Sequence, residues 1–299
     1  MKTRNRRTLT FAIILVALIA AGALLINFPR LQSGGNEVFD GQRAWKDIAF
    51  QLDLGPRIPG SDAHQQTVDW IVAELKISGW NVEVQTGTML GHPYQNIIGK
   101  RGTSNSAIIL GAHYDTRMVA DQDPDPSKRN LPVPGANDGA SGVAVLLELA
   151  RTLPTDIHSD VWLVFFDIED QGDINGWDWI LGSRAFADSL TTPPQAVVVL
   201  DMIGDAQLDI YKEQTSTPDL VAQIWNIAAE AGYSNLFINQ LKYSMLDDHT
   251  PFLQRGFPAA DLIDFDYPYW HTTADTLDKV SVDSLIAVGD TMTKWILSR

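Results

Sequence analysis

Histidine and acidic side chains follow apolar runs at several points along the sequence. These polar residues are His113, Asp115, Glu169, Asp170 and Asp201. An apolar run of about six residues is typical of a strand that is buried on both faces. Ligands in open α/β sheets bind beyond the carboxyl ends of the strands, which is where these residues would lie. Imidazole and carboxylate groups gathered there are suitable ligands for zinc.

Asp138 and His271 extend this set. Asp138 lies in an Asn-Asp-Gly sequence just before a segment with helical periodicity, and His271 follows a predicted strand at 259–263. Taken singly, Asp138 would be explained as a helix cap, and His113 with Asp115 as a buried histidine held by a carboxylate. Taken together, so many acids and histidines at strand ends favour a metal site.

Glu169 and Asp170 are adjacent, and this has a chemical consequence. Consecutive side chains diverge in a strand, so the chain must turn into a loop at this point. One carboxylate can then bind a metal ion while the other acts beside it as a general acid or base. Two neighbouring acids at the end of a buried strand are otherwise hard to explain, because unpaired buried carboxylates are costly.

The elements that must position these residues alternate along the chain. Strands are predicted at 81–89, 95–100, 107–112, 161–166, 196–200 and 259–263. Helices are predicted at 39–52, 61–79, 139–153, 183–190, 219–231, 248–254 and 281–297. This alternation indicates a single α/β domain over 40–299, with a central, mostly parallel mixed sheet flanked by helices. The Pro- and Asp-rich segment at 121–134 lacks periodicity and is predicted to border or cover the site.

Other residues are predicted not to bind a metal. The sequence contains no cysteine, so a metal site must use histidine, aspartate or glutamate. His249 precedes a short predicted helix, and a structural role at the start of that helix is favoured. The remaining histidines are predicted to lie at the surface, and these are His64, His92 and His158.

The amino-terminal segment is predicted to lie outside the folded domain. Basic residues at 1–8 precede an uncharged run at 9–28, whose 20 residues would form a helix about 30 Å long, enough to cross a bilayer. We predict a cytoplasmic segment at 1–8, a transmembrane signal anchor at 9–28 and a linker at 29–39, with the catalytic domain outside the cytoplasm. Secretion after cleavage near Ala21-Gly22-Ala23 is the alternative. The net charge of −15 argues against nucleic acid as a partner.

The order and spacing of these motifs resemble those of the zinc aminopeptidase family over about residues 40–297. The matching motifs are His113-Tyr114-Asp115, the segment 137–142, Glu169-Asp170, the segment 201–204, Asp248-His249 and His271-Thr272. Within that family the chain most resembles the glutaminyl-peptide cyclotransferases, or glutaminyl cyclases. The segments that carry this closer resemblance are 54–61, 165–167, 182–184, 247–256 and 270–272.

The resemblance implies a role for each matching residue. Asp138, Asp170 and His271 would bind the catalytic zinc. Glu169 would act as the proton shuttle, and Trp270 would form a wall of the substrate pocket. One ligand departs from the family pattern, because Asp170 stands where the animal cyclases have glutamate.

Further positions would complete the site. Asp201 and Asp248 would form a supporting network of acids beside the substrate. In the two-metal aminopeptidases, the positions that match His113 and Asp201 bind a second zinc. A second tryptophan of the pocket would match either Trp177 or Trp179.

Two reactions fit these residues, and both act on peptides or proteins with a free amino terminus. A cyclase would convert an amino-terminal glutamine to pyroglutamate and release ammonia, with one zinc. An aminopeptidase would hydrolyse the first peptide bond, with two zinc ions. The segment around Asp248 and the tryptophan before His271 favour the cyclase. A membrane-anchored binding domain without catalytic activity is a remoter alternative.

Overall fold

The computed structural model describes residues 38–102 and 106–299, which form these elements in chain order. The helices are α1 (Gly41–Leu54), α2 (Asp62–Ile77), α3 (Ala140–Thr152), α4 (Leu181–Ser189), α5 (Pro218–Glu230), α6 (Thr250–Gln254) and α7 (Val282–Leu297). The strands are β1 (Asn81–Met89), β2 (His92–Arg101), β3 (Ile108–His113), β4 (Val161–Phe166), β5 (Ala196–Asp201), β6 (Ile210–Lys212), β7 (Phe237–Leu241) and β8 (Ala259–Ile263). A short 3₁₀ helix, Leu277–Lys279, precedes α7.

The central sheet has the strand order β1-β2-β4-β3-β5-β8. Strands β4, β3, β5 and β8 run parallel, whereas β2 is antiparallel to both β4 and β1. The predicted single α/β domain with a mostly parallel mixed sheet is therefore confirmed. His113 pairs with Phe166 and Asp201 pairs with Ile263, so the carboxyl ends of these four strands meet at one edge.

Helices cover both faces of the sheet, which explains why its parallel strands are mostly apolar. Every residue of β3 and of β4 is buried. Successive residues of β4 alternate between two cores: Leu163 and Phe165 pack with residues of α1, α2, α3 and α7. Val164 and Phe166 pack with Phe186 of α4 and with residues of α6. The helices hold the strand ends rigidly, and the loops beyond those ends carry the polar residues.

The structure adds one element to the predicted set. A separate two-stranded sheet pairs β6 with β7 in parallel. Neither strand is predicted from the sequence, because β6 is only three residues long and most of β7 is exposed. The ends of the other helices and strands differ from the predictions by up to three residues.

The predicted segments at 1–8 and 9–28 lie outside the described residues, as does most of the linker at 29–39. Within the part of the chain that the structure describes, no helix is both long enough and apolar enough to span a bilayer. The transmembrane anchor therefore stays a prediction.

Candidate active site

Three residues that are far apart in the sequence meet at the carboxyl edge of the sheet. Asp138, Asp170 and His271 are buried, and each offers a ligand atom within 4.8 Å of the others. His271 Nε2 lies 2.8 Å from Asp170 Oδ1 and 3.7 Å from Asp138 Oδ2. We call these three residues the pocket cluster. Their positions allow all three to bind one cation.

A second group shares Asp138 with the pocket cluster. His113 Nε2 lies 3.1 Å from Asp138 Oδ1 and 3.1 Å from Asp201 Oδ1. The two oxygens of Asp138 therefore face different histidines, with Oδ1 toward His113 and Oδ2 toward His271. A carboxylate in this position can bridge two metal ions.

Two buried oxygen atoms that lack hydrogen-bond partners in the described part of the chain indicate whether these residues fit zinc. Asp138 Oδ2 and Asp170 Oδ2 are buried and have no hydrogen-bond partner among the described residues. A buried acceptor without a partner costs about 1–3 kcal/mol, and more when it is charged. Zinc binds histidine nitrogen and carboxylate oxygen, which are the atoms that meet here. The residues therefore fit a zinc ion.

Buried acids hold the backbone on which the ligands lie. Asp275 accepts hydrogen bonds from the N–H groups of Asn137 (2.9 Å) and Asp138 (3.1 Å). Asp115 accepts from the N–H groups of Glu169 (3.0 Å) and Asp170 (3.3 Å). Asp115 Oδ1 is also 3.6 Å from His113 Nδ1, so the residue predicted to hold the histidine ring mainly holds the loop after β4.

The backbone is strained next to three of these side chains. Ile168, which precedes Glu169, has a φ of 48°, and Met202, which follows Asp201, also has a φ of 48°. His271 itself has a φ of 54°. Left-handed conformations of residues other than glycine cost about 1–3 kcal/mol each and cluster at functional sites. The surrounding structure stabilises these turns, which place Glu169, Asp201 and His271 around one pocket.

Glu169 lies beside the pocket cluster without belonging to it. Its Oε2 atom is 3.9 Å from His113 Nδ1, and its side chain is 12% exposed. Burial raises the pKa of Glu169 well above its usual value; His113 opposes this rise, whereas the charge of Asp170 adds to it. A dication bound nearby would lower the pKa again. A largely buried carboxyl group in this position can serve as a proton carrier.

A small pocket opens in front of the pocket cluster, with a volume of about 210 Å³. Its walls contain Trp179 and Trp270, and Trp270 stacks on the His271 ring with 3.7 Å between ring centroids. Trp177 instead stacks on His92, at 3.5 Å, and does not line the pocket. The structure thus selects Trp179 from the two tryptophans that the sequence left open. A space of this size suits one side chain rather than a larger ligand.

The acids on one side of the pocket lie in two positions, and, besides burial, the charges of both Asp248 and Asp247 raise the pKa of Glu169. Asp201 and Asp247 line the pocket, whereas Asp248 does not. Asp248 is fully buried, and neither of its carboxylate oxygens has a hydrogen-bond partner among the described residues. Both acids are adjacent in the sequence, and only the turn before α6 decides which of them faces the pocket.

Arg117 and Asp121 support His271, and neither role was predicted from the sequence. Arg117 donates two hydrogen bonds to Asp121, at 2.9 and 2.7 Å, and a third to the carbonyl oxygen of Asp170 at 3.0 Å. Asp121 Oδ1 lies 3.5 Å from His271 Nδ1, which leaves Nε2 directed at Asp170. Asp121 begins the segment at 121–134, which was predicted to border the site. The only sequence signal for Arg117 is its position two residues after Asp115.

Arg57 explains the Gly-Pro-Arg segment that contributed to the family resemblance. Its buried guanidinium donates to the carbonyl oxygens of Tyr114 (3.2 Å), Pro134 (2.7 Å) and Gly135 (2.7 Å). Burial lowers the pKa of Arg57 to about 10, so it stays charged near neutral pH. It joins the end of β3 to the loop before Asp138.

His64 corrects a prediction, because it is buried rather than at the surface. Its Nε2 atom is 2.7 Å from Asp167 Oδ1. His158 is exposed as predicted, and His92 is partly exposed. The apolar residues near His64 have helical spacing, which predicts α2. That spacing does not predict the contact between His64 and Asp167, the residue that follows β4.

Comparison with known proteins agrees with this geometry. The model of peptidase family M28 matches residues 96–296, which is more than half of the chain. The chain belongs to peptidase family M28. The chain is also similar to the glutaminyl-peptide cyclotransferase of Boiga irregularis, with 29% identity over 297 residues, covering 81% of this chain and 78% of that protein.

Solved structures give the same family relationship. The glutaminyl cyclase of Tannerella forsythia has a TM-score of 0.83 and 33% identity, covering 88% of this chain and 100% of that one. A zinc-dependent exopeptidase of Parabacteroides distasonis has a TM-score of 0.83 and 32% identity, covering 89% and 100%. M28 membership and the paired donor groups together support a zinc-dependent enzyme.

Proposed function

We propose that this M28 member is a glutaminyl-peptide cyclotransferase, which converts an amino-terminal glutamine to pyroglutamate and releases ammonia. The observation that carries this proposal is the small pocket between Trp179 and Trp270, with Glu169 beside the pocket cluster. The planar faces of two tryptophans suit the flat side-chain amide of glutamine. The pocket has room for one side chain, which suits the first residue of a peptide.

The residues divide the reaction between them. Zinc bound by Asp138, Asp170 and His271 would supply a Lewis acid for the side-chain carbonyl group of the substrate. The α-amine of the same glutamine forms the new C–N bond, and the C–N bond of the amide breaks. Glu169 accepts one proton from the attacking amine and gives one to the departing nitrogen, which leaves as ammonia.

The acids on the other side of the pocket orient the amine. Asp201 and Asp247 both line the pocket, so their oxygens can accept hydrogen bonds from the α-amine of the substrate. We therefore propose that Asp247 joins Asp248, whose charge also raises the pKa of Glu169, in the supporting network predicted from the sequence. Asp201 keeps its predicted role in this supporting network.

Aminopeptidase activity is the second candidate, and one observation favours it. His113, Asp138 and Asp201 form an intact donor group that shares Asp138 with the pocket cluster. Two zinc ions held in this way suit hydrolysis of the first peptide bond, with Glu169 as the general base for water. A binding domain without catalytic activity is disfavoured, because the donor residues and the proton carrier are all present.

Two peptides that differ only in their first residue separate these candidates. The purified protein is loaded with zinc and incubated with a glutamine-led peptide and with a leucine-led peptide of otherwise identical sequence. The cyclase proposal expects ammonia release and an otherwise intact chain from the first peptide only. Free leucine from the second peptide, without ammonia from the first, would establish the aminopeptidase instead.

A further inference from the structure

A second group of two aspartates and one histidine adjoins the pocket. Asp247, His249 and Asp261 are buried, and each offers a ligand atom within 4.8 Å of the others. We call these residues the rear cluster. Asp247 lines the pocket, whereas His249 and Asp261 do not.

The hydrogen bonds of Glu213 determine which nitrogen of His249 carries the proton. The Glu213 carboxylate accepts from the N–H groups of Thr215, Ser216 and Met245 and from the hydroxyl groups of Thr215 and Ser216. His249 Nε2 lies 3.0 Å from the Thr215 hydroxyl oxygen and 3.4 Å from Glu213 Oε2, and the carboxylate favours a proton on this nitrogen. The proton of a neutral His249 ring therefore lies on Nε2, and Nδ1 keeps a lone pair.

That lone pair faces other lone pairs. His249 Nδ1 lies 3.7 Å from Asp261 Oδ2. His249 Nδ1, Asp247 Oδ2 and both oxygens of Asp261 are buried and have no hydrogen-bond partner among the described residues. Asp261 lies in the middle of β8, between Ala260 and Leu262, where an uncompensated carboxylate costs several kcal/mol. A cation between these residues would bind one atom from each of them.

We propose that the rear cluster binds a divalent cation of the zinc type through Asp247, His249 and Asp261. One imidazole nitrogen with carboxylate oxygens suits zinc, whereas calcium takes six to eight oxygen ligands. Donor atoms around a tetrahedral zinc lie roughly 3.3–3.6 Å apart, close to the separation of His249 Nδ1 and Asp261 Oδ2. Because His249 and Asp261 are closed off from the pocket, this ion would hold Asp247 in place on the pocket wall. The proposal does not depend on which reaction the pocket performs.

Metal content tests the proposal directly. The full chain is stripped with a chelator, reloaded with zinc chloride, freed of excess metal and analysed for zinc per chain by mass spectrometry. Asp261→Asn should bind one ion fewer per chain than the wild type. Asp264→Asn is the matched control, because Asp264 is also buried just after β8 but accepts hydrogen bonds from the N–H groups of Asp209 (2.9 Å) and Asp266 (3.1 Å). Equal zinc content in the wild type and Asp261→Asn would overturn the proposal.

A second measurement does not rely on any variant being folded. Anomalous diffraction at the zinc absorption edge, from crystals of the reloaded wild type, should show a peak surrounded by Asp247, His249 and Asp261. A map without that peak would reject the rear cluster as a zinc site. Failure of the proposed function has a different signature, which is the absence of ammonia release while this peak remains.

Discussion

The pocket cluster and the rear cluster contain the same donor groups in different surroundings. Each has two aspartates and one histidine, and each is buried. The pocket cluster opens onto a cavity of about 210 Å³ and has Glu169 beside it. Of the rear cluster, only Asp247 reaches that cavity. The ligand set alone therefore does not define a catalyst; access for a substrate and a nearby proton carrier distinguish the two sites.

His64 and Asp167 provide a third arrangement of the same groups, and here the atoms satisfy one another. Asp167 accepts from the N–H groups of Gln95 and Ile168, both at 2.8 Å, in addition to its 2.7 Å contact with His64. Neither side chain is left without a partner, so this pair needs no cation. Unsatisfied buried atoms, rather than the residue types, separate the two candidate metal clusters from a structural pair.

Loss of a pocket-cluster ligand should have the largest effect. Asp138→Asn keeps the shape of the side chain but removes the charge that faces both His113 and His271. Turnover should fall on the order of 1000-fold or more, because a Lewis acid contributes several kcal/mol to the transition state. Initial rates and zinc content measure this. Asp219→Asn, on the exposed surface of α5, is the control. Full activity in Asp138→Asn would show that Asp138 is not a ligand of the catalytic metal.

Glu169→Gln should separate proton transfer from metal binding. Glutamine is similar in size to glutamate but cannot exchange the proton, so kcat should fall by roughly 100- to 10,000-fold. The zinc content should stay at the wild-type level, because Glu169 is not part of the pocket cluster. Metal analysis and steady-state kinetics on the same preparation provide the measurement. A variant that lost its zinc along with its activity would indicate that Glu169 is a ligand.

The two neighbouring tryptophans test the pocket wall with smaller effects. Trp179→Ala should raise KM about tenfold, because it removes roughly 1.5 kcal/mol of aromatic contact with the substrate. Trp177→Ala should leave KM unchanged, since Trp177 stacks on His92 outside the pocket. Steady-state kinetics of both variants with the glutamine-led peptide make the comparison. Equal effects of the two substitutions would contradict the pocket described above.

Substitution of His64 should change only the stability of the fold, and this is the smallest of the predicted effects. Burial alone would lower the pKa of His64, but the hydrogen bond and charge of Asp167 outweigh burial and raise it above the ordinary value of 6.5. The stabilisation is therefore complete below that ordinary value and is lost as the pH rises through the folded-state pKa. Denaturant unfolding across a pH series should show this decline in the wild type and less of it in His64→Gln. An identical pH dependence in both proteins would argue against a charged His64.

Much of the fold and of the pocket cluster was predictable from the sequence. Apolar runs and helical periodicity are local properties, and they gave nearly all elements of the central sheet and its helices. The polar residues that end those runs, among them Asp170 and Asp201, must lie at the carboxyl edge once the strands are parallel. The chemistry of the cluster follows from residue type, because only a few side chains bind zinc.

The tertiary structure alone decided which side chains face one another. It placed Asp247 and Trp179 on the pocket wall and Trp177 against His92, because a turn and the packing around it orient each side chain. It also buried His64 against Asp167 and brought Arg117 and Asp121 behind His271. These contacts depend on strained backbone angles and on residues far apart along the chain, and neither leaves a periodic pattern in the sequence.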